Sequence, residues 1–236
     1  MAVVGDADPK PGPLAGALGR EDSRIGADTD ARSIRPGLGL PVARIEALTD
    51  GVFAIAMTVI VLGLELPRGS GSLGSRLWVL WPKLGSYVLS FVMLGVLWIG
   101  HHYQLNHLRR TNRILIWLNL GFLLAITFLP FGAAVLGTNY TDPWAVALYA
   151  GTVIFAGASL LAHWSYAVRH GELLAPGVDD HVIAALKTRI WFGMGVSVVA
   201  IAVGFIDTRI SIAVLLALPT VYLVRSRIDH KVVPRA

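Results

Sequence analysis

Arg44, Glu46, Thr49 and Asp50 crowd the start of an otherwise apolar stretch, RIEALTDGVFAIAMTVIVLGLELP, residues 44–67. A guanidinium and two carboxylates in the first turns of a membrane-type segment are costly unless they face protein or water. Their available chemistry is therefore pairing: ion pairs and hydrogen bonds to neighbouring helices. A second polar group, His101, His102 and Asn119, lies further along. His101, His102 and His107 lack the i, i+4 spacing and the nearby carboxylate of a metal site, and adjacent helical residues point about 100° apart. No metal or other cofactor is expected. His163 and His170, seven residues apart, read as interfacial packing residues. The chain has no H-E-x-x-H, no G-x-S-x-G and no paired mid-membrane carboxylates, so enzyme chemistry is not expected.

The elements that must position these residues follow from composition. Of 236 residues 55% are hydrophobic and only 15% charged, too little charge to cover a soluble domain of this size. The mean hydropathy is +0.64. The apolar residues cluster in runs long enough for helices to cross a hydrocarbon core, which takes about 20 residues. Barrel strands would be shorter and would alternate. Helices are then the way to satisfy the backbone in lipid. There is no cysteine, hence no disulfide or thiol chemistry. The pI near 9.8 does not point to nucleic acid, because the basic residues sit at segment ends.

Six spans are expected, at about Pro41–Leu66, Leu77–His101, Arg113–Leu136, Pro143–Val168, Val182–Phe205 and Arg209–Val224. Residues 1–40 are rich in Gly, Pro, Asp and Arg without apolar periodicity and read as a disordered cytoplasmic tail. Residues 41–225 form the transmembrane domain, and residues 226–236 a cytoplasmic C-terminal tail. Of the 20 Lys and Arg, only Arg68, Arg76, Lys83 and Arg209 fall on one side of this topology. The bias places both termini in the cytoplasm of a multi-pass protein of the cell membrane. Trp78, Trp81 and Tyr87 on one side, and Trp98 and Tyr103 on the other, read as interfacial anchors. Asp142 before Pro143 reads as a helix cap, and Asp179 and Asp180 before VIAALKTRI as an N-terminal helix charge or cap. Gly95, Gly100, Gly151 and Gly157 read as close-packing positions.

At 100° per residue, Arg44, Leu48, Gly51, Ile55, Val59 and Leu62 share one face of the first helix, with Thr58 at its border. Asp50 points roughly 140° away from Ile55 on the same wheel, toward neighbouring helices. The uncharged part, Gly51 to Leu64, is short for a span.

Here the residues carry a resemblance. Arg44-x-x-x-Leu48-Thr49-Asp50 resembles the R-x-x-x-F-S-D signature that opens the first helix of the transmembrane protein 175 family, with Leu48 for Phe and Thr49 for Ser. The stretch LWIGHHYQLNHLRRTNRILIWLNLGFLLAITFLPF, residues 97–131, is similar to the family's second and third helices, including its Trp and His pair. The resemblance covers about residues 42–136. It implies an all-α membrane protein with six transmembrane helices per subunit, the first lining a central pore in a homotetramer. It implies potassium-selective conduction of moderate selectivity, with K⁺ as the permeant ion and membrane lipid as surroundings. No T-V-G-Y-G filter and no arginine-repeat voltage sensor is present. Carried over by position, the pore constriction falls on Ile55, with Thr58, Val59 and Leu62 beside it. Val59 is smaller than the Leu typical of that position. Arg44, Leu48, Thr49, Asp50, His101, His102 and Asn119 become the network that holds the pore helix. The competing class is a proton- or cation-coupled secondary transporter, which calls for an ionisable group near the midplane and an inverted repeat. The ionisable groups here sit near span ends, and no repeat is visible.

Overall fold

Most of the helices start where the sequence supplies a side-chain acceptor for their first free N–H groups. In this computed structural model, which describes residues 40–66 and 71–229 and only the backbone beyond residue 219, such caps recur, the last helix taking its own from Asp207, which accepts from the Arg209 N–H at 2.7 Å. Asn112 accepts from the Leu115 N–H at 2.9 Å and Asp142 from the Trp144 N–H at 2.9 Å. Asp179 accepts from the His181 N–H at 2.9 Å and Ser72 from the Ser75 N–H at 3.3 Å. Each satisfies one orphan donor and fixes a helix start.

The elements run α1 Val42–Val59, continued by a 3₁₀ turn Ile60–Gly63, then a short α2 Leu73–Trp78. The long helices follow: α3 Trp81–Leu105, α4 Arg113–Thr138, α5 Pro143–Arg169, α6 Asp180–Gly204 and α7 Thr208–Asp229. Among the described residues five helices are long and apolar enough to cross a membrane, and the sixth candidate is the shorter apolar part of α7, Thr208–Pro219. The fold is all-α, as expected. The second span begins at Trp81 rather than Leu77 because Trp78 closes a separate short helix and α3 starts with Pro82 in its first turn. The last helix continues to Asp229, past the end assigned from its apolar run. The tail expected over residues 1–40 lies outside the described residues except for Leu40, and so do residues 230–236.

α5 is the hub. It packs on α4, α6, α7 and α3, and it buries Val146, Tyr149, Ala150, Ala156 and Trp164 completely. α1 packs on α3 and α4. One apolar core runs from Phe53 and Ala56 of α1 through Met93 of α3 and Ile126 of α4 to Leu215 of α7. Buried hydroxyls find main-chain acceptors: Ser86 Oγ donates to the Ala133 carbonyl at 2.6 Å and Ser211 Oγ to the Ala200 carbonyl at 2.5 Å. In lipid these bonds tie one helix to the next. A smaller cluster of Ile45, Leu105, Leu108, Leu115 and Leu173 closes the end where α1 begins. There the α3–α4 connection meets the α5–α6 connection, with Arg109 N–H donating to the Leu173 carbonyl at 2.8 Å and Ala175 N–H to the His107 carbonyl at 2.9 Å. Thr111 Oγ1 donates to the Leu40 carbonyl, fastening the start of α1 to the same junction.

Of the glycines expected at close contacts, only Gly157 is one: a Cβ there would lie 2.9 Å from Met194 Cγ. Gly95 and Gly151 face open space, and Gly100 would make ordinary contact with Leu160. The closest approach of one helix to another's backbone at a glycine is one that periodicity does not mark. A Cβ on Gly137 would meet Lys83 Cα at 3.0 Å and Ser86 Cβ at 3.3 Å. Gly137→Leu therefore lowers the melting temperature, by the equivalent of about 1–3 kcal/mol for overpacking. Gly151→Ala raises it, by about 0.5–1 kcal/mol of helix preference. Thermal unfolding of the purified protein in detergent measures both, and equal melting of the two variants contradicts the packing described.

Candidate functional site

α1 has two unlike sides. Ile45, Thr49, Phe53, Ala56 and Ile60 are buried, spaced three or four residues apart along one helical stripe. Phe53 sits against Phe122 of α4, ring centroids 5.9 Å apart. The opposite side is uncovered: Ile55 is 64% exposed, Val59 43% and Leu62 72%. Leu48, Gly51 and Thr58 share that exposed side. The 3₁₀ turn from Ile60 winds the last residues more tightly than 100° per residue, yet Leu62 stays on the uncovered side. Thr58 Oγ1 donates to the Ile55 carbonyl at 2.9 Å. Its proton is thus engaged by the helix, and its lone pairs are what it presents outward.

On the buried side a chain of polar groups crosses four helices. Thr49 is 1% exposed, His101 and Gln104 are 0%, Asn119 1% and His163 0%. His101 Nε2 donates to Asn119 Oδ1 at 2.7 Å, because an amide oxygen can only accept. Asn119 Nδ2 then donates toward Thr49 Oγ1 at 3.5 Å, the limit of a hydrogen bond. The His101 ring stacks on Phe122 at 4.8 Å with the planes only 9° apart. On its other side lies His163, 5.5 Å away between centroids. His163 Nδ1 donates to Gln104 Oε1 at 3.1 Å, and Gln104 Nε2 to the Leu160 carbonyl at 3.4 Å. His101 Nδ1 and His163 Nε2 are left without a partner.

Nearer the surface a second set links α1 to α3. The Trp98 indole N–H donates to Asp50 Oδ1 at 2.8 Å. His102 stacks on Trp98 at 5.4 Å, and its Nδ1 lies 3.2 Å from Glu46 Oε1. Both carboxylates of the first turns therefore reach side chains of α3, one turn apart on each helix.

The structure thus brings Thr49, Asp50, His101, His102 and Asn119 to one junction. It does not bring Arg44 or Leu48 there. Both are exposed, and among the described residues the Arg44 side chain makes no ion pair or hydrogen bond. Neither histidine bonds Thr49 or Asp50 directly: His101 acts through Asn119, and His102 meets Glu46 instead. Trp98, expected as an interfacial anchor, holds Asp50. Its position four residues before His102, on the same side of α3, is the signal that marks it. His163, expected at the interface, is buried in the centre of the chain, and Gln104 is the link to it. A buried pair on two separate helices leaves no spacing in the sequence to detect.

If this chain of hydrogen bonds fastens α1, its central amide matters more than its exposed indole. Asn119→Leu leaves a buried His101 N–H and Thr49 hydroxyl unpaired, a loss of about 1–3 kcal/mol. Trp98→Phe removes one interhelical hydrogen bond at a partly exposed site, worth about 0.6 kcal/mol. Thermal melting in detergent should show the first drop clearly exceeding the second, and an Asn119→Leu protein that melts like wild type contradicts the fastening.

Comparison with known proteins places this arrangement. The family described as endosomal/lysosomal potassium channel TMEM175 matches residues 44–130, from the first charged turn of α1 to Pro130 in α4. A potassium channel of Streptomyces collinus is 35% identical over 158 residues, covering 64% of this chain and 76% of that one. A potassium channel of Chamaesiphon minutus is 33% identical over 190 residues, covering 78% of this chain and 94% of that one. The crystal structure of a lysosomal potassium-selective channel TMEM175 homolog from Chamaesiphon minutus superposes with a TM-score of 0.71 at 30% identity, over 78% of this chain and 97% of that one. With residues 44–130 matched by the family, a relative 33% identical and the fold of a solved homolog, the chain is a multi-pass membrane protein that belongs to the TMEM175 family.

Proposed function

We propose that the chain is one subunit of a homotetrameric cation channel that favours K⁺, set in the cell membrane with both termini in the cytoplasm. The observation that carries this is the two-sidedness of α1. A helix fastened on one side by Thr49, Phe53 and Ala56 offers the opposite apolar stripe of Ile55, Val59 and Leu62 to something outside the subunit. Two relatives of similar length are named potassium channels, which supports a pore as that something.

Four copies of Ile55 around an axis make a narrow apolar ring. Such a ring blocks ions when it dewets and passes a partly hydrated cation when it widens slightly. Thr58, one turn further along, directs oxygen lone pairs toward the same axis because its proton is held by the Ile55 carbonyl. Those oxygens suit a cation and replace part of its water shell. Val59 and Leu62 continue the apolar lining. Dehydration at an apolar ring discriminates K⁺ from Na⁺ modestly, since K⁺ holds its water less tightly, so selectivity is moderate. The charged first turns do not reach the ion. Asp50 is held by Trp98 and Glu46 faces His102, which keeps α1 in register.

The test is ion flux into liposomes holding the purified protein. Wild type should pass K⁺ faster than Na⁺. Ile55→Asn wets the constriction, so flux is kept or increased and the K⁺ preference falls toward one. Flux that requires a solute or proton gradient, and is indifferent to Ile55→Asn, would turn the reading to a coupled transporter. No flux from a well-folded tetramer would leave only the fold in common with the relatives.

A further inference from the structure

α4 also has two unlike sides. Leu115, Asn119, Phe122, Ile126 and Leu129 are buried, and Trp117, Leu124, Phe128 and Phe131 are exposed. At 100° per residue the exposed four fall within about 60° of one another, opposite the buried set. Arg113, in the first turn, lies over the same stripe and is itself exposed. Arg109 and Arg110 stand exposed in the connection just before it. Among the described residues none of these three guanidiniums has an ion pair or hydrogen bond.

Three features identify an occupant. The first is charge. No Asp or Glu occurs between Glu65 and Asp142, so α3, α4 and the corner that joins them supply cations and no anion. The α5–α6 connection meets this corner where the Arg109 and Arg110 N–H groups donate to the Leu173 carbonyl, at 2.8 and 3.3 Å. Its Glu172 carboxylate lies 3.6 Å from His170 Nδ1 and is not paired with an arginine. The second feature is level. Arg113 is the first residue of a membrane-spanning helix, so the three cations stand at the edge of the membrane, where lipid headgroups are. The third is length. From Trp117 to Phe128 the stripe rises about 16 Å, close to half of a hydrocarbon core about 30 Å thick. Uncommitted cations at the head of an apolar stripe one leaflet deep are complementary to an anionic amphiphile.

We propose that this corner is a binding site for an anionic phospholipid, with the phosphate among Arg109, Arg110 and Arg113 and one acyl chain laid along Trp117, Leu124 and Phe128. The site is independent of the pore reading, since none of its residues belongs to α1. A zwitterionic lipid lays the same chain on the stripe but sets a further positive charge beside the three arginines, so it binds more weakly. The ionic contacts govern choice of headgroup. The stripe sets where the chain lies.

Native mass spectrometry of the purified protein tests the headgroup, with phosphatidylglycerol and phosphatidylcholine of identical acyl chains titrated separately. Wild type should bind phosphatidylglycerol the more tightly. Each arginine near the surface gives a factor of about five toward an anionic lipid. Arg113→Gln should therefore lower the preference about fivefold, and Arg110→Gln with Arg113→Gln about 25-fold. Arg113→Lys should keep it. All of these positions are exposed, so the variants should melt like wild type. Equal binding of the two lipids to wild type overturns the proposal, as does an undiminished preference in the double variant. Displacement of phosphatidylglycerol by free glycerol phosphate at the same concentration also overturns it, because the site would then read the phosphate alone. A second measurement tests the stripe. The chain has no cysteine, so Leu124→Cys carries a single nitroxide label. In phosphatidylglycerol liposomes the label should collide freely with dissolved oxygen, as it does in lipid. A label that is immobilised and shielded from oxygen means that another subunit covers the stripe, and the proposal falls.

Discussion

Asn119 does two things in a place where water can do neither. Its carbonyl oxygen takes the proton of His101, and its amide nitrogen points at the Thr49 hydroxyl. In the interior of a membrane protein an unpaired amide or imidazole N–H is expensive. The arrangement that satisfies Asn119 therefore fixes the spacing of α1, α3 and α4 together. His101 extends the constraint, stacked on Phe122 and set against His163, whose own proton goes to Gln104. Hydrogen bonds thus tie α1, α4 and α3 together, a ring contact and a second pair of bonds carry the link on to α5, and α1 inherits its rotation from them. A different rotation would bury Asp50 or Gly51 against Phe122 and strand Thr49 in lipid.

That rotation is what gives the uncovered stripe its meaning. Apolar residues facing outward on a membrane protein are unremarkable, because lipid tails are as apolar as they are and do not drive helices together. Ile55 at 64% exposed would by itself say only that nothing in the same chain covers it. The weight comes from the contrast within one helix. Thr49 and Phe53 turn inward, to Asn119 and Phe122, while Asp50 is claimed by Trp98. A helix that only faced lipid would have no need of so many specific attachments near one end. Arg44 and Leu48 stand apart from these attachments, exposed on the same side as Ile55, so the motif that begins α1 is divided between scaffold and uncovered face.

Much of this was legible in the residues. Length and apolarity of the runs were enough for the helices, and the caps at Asp142 and Asp179 were visible as a short polar side chain before a helix start. The 100° period separated Ile55 from Asp50 correctly, because α1 is regular over that interval. What the residues did not show were events between helices. The boundary at Trp81 depends on a short helix that the apolar run hides. Gly137 touches Lys83 through backbone, which no periodicity records. Gly95 and Gly151 carry the same residue type and touch nothing. His163 was misplaced for the same reason: its surroundings are set by α3, from which it is separated by some 60 residues, and no local pattern encodes them. Trp98 was seen but given the role its type most often has in membranes, until the geometry put its N–H 2.8 Å from Asp50.

The two ends of α1 are consequently held by different physics. At its start, directional hydrogen bonds and the Glu46–His102 contact allow little movement without losing a partner. Past Gly51 the attachment is apolar packing alone, through Phe53, Ala56 and Ile60, and then a 3₁₀ turn whose hydrogen bonds are poorer than those of the α-helix. Apolar contacts are non-directional and tolerate small slides and rotations that a bond to Asn119 does not. The residues that would set the width of the proposed ring, Ile55 and Leu62, lie on this looser part, downstream of a fixed root. A helix anchored at one end and softly packed at the other can shift its apolar side by a fraction of an ångström while its rotation stays set. At an apolar constriction that displacement is the difference between a wetted and a dry passage.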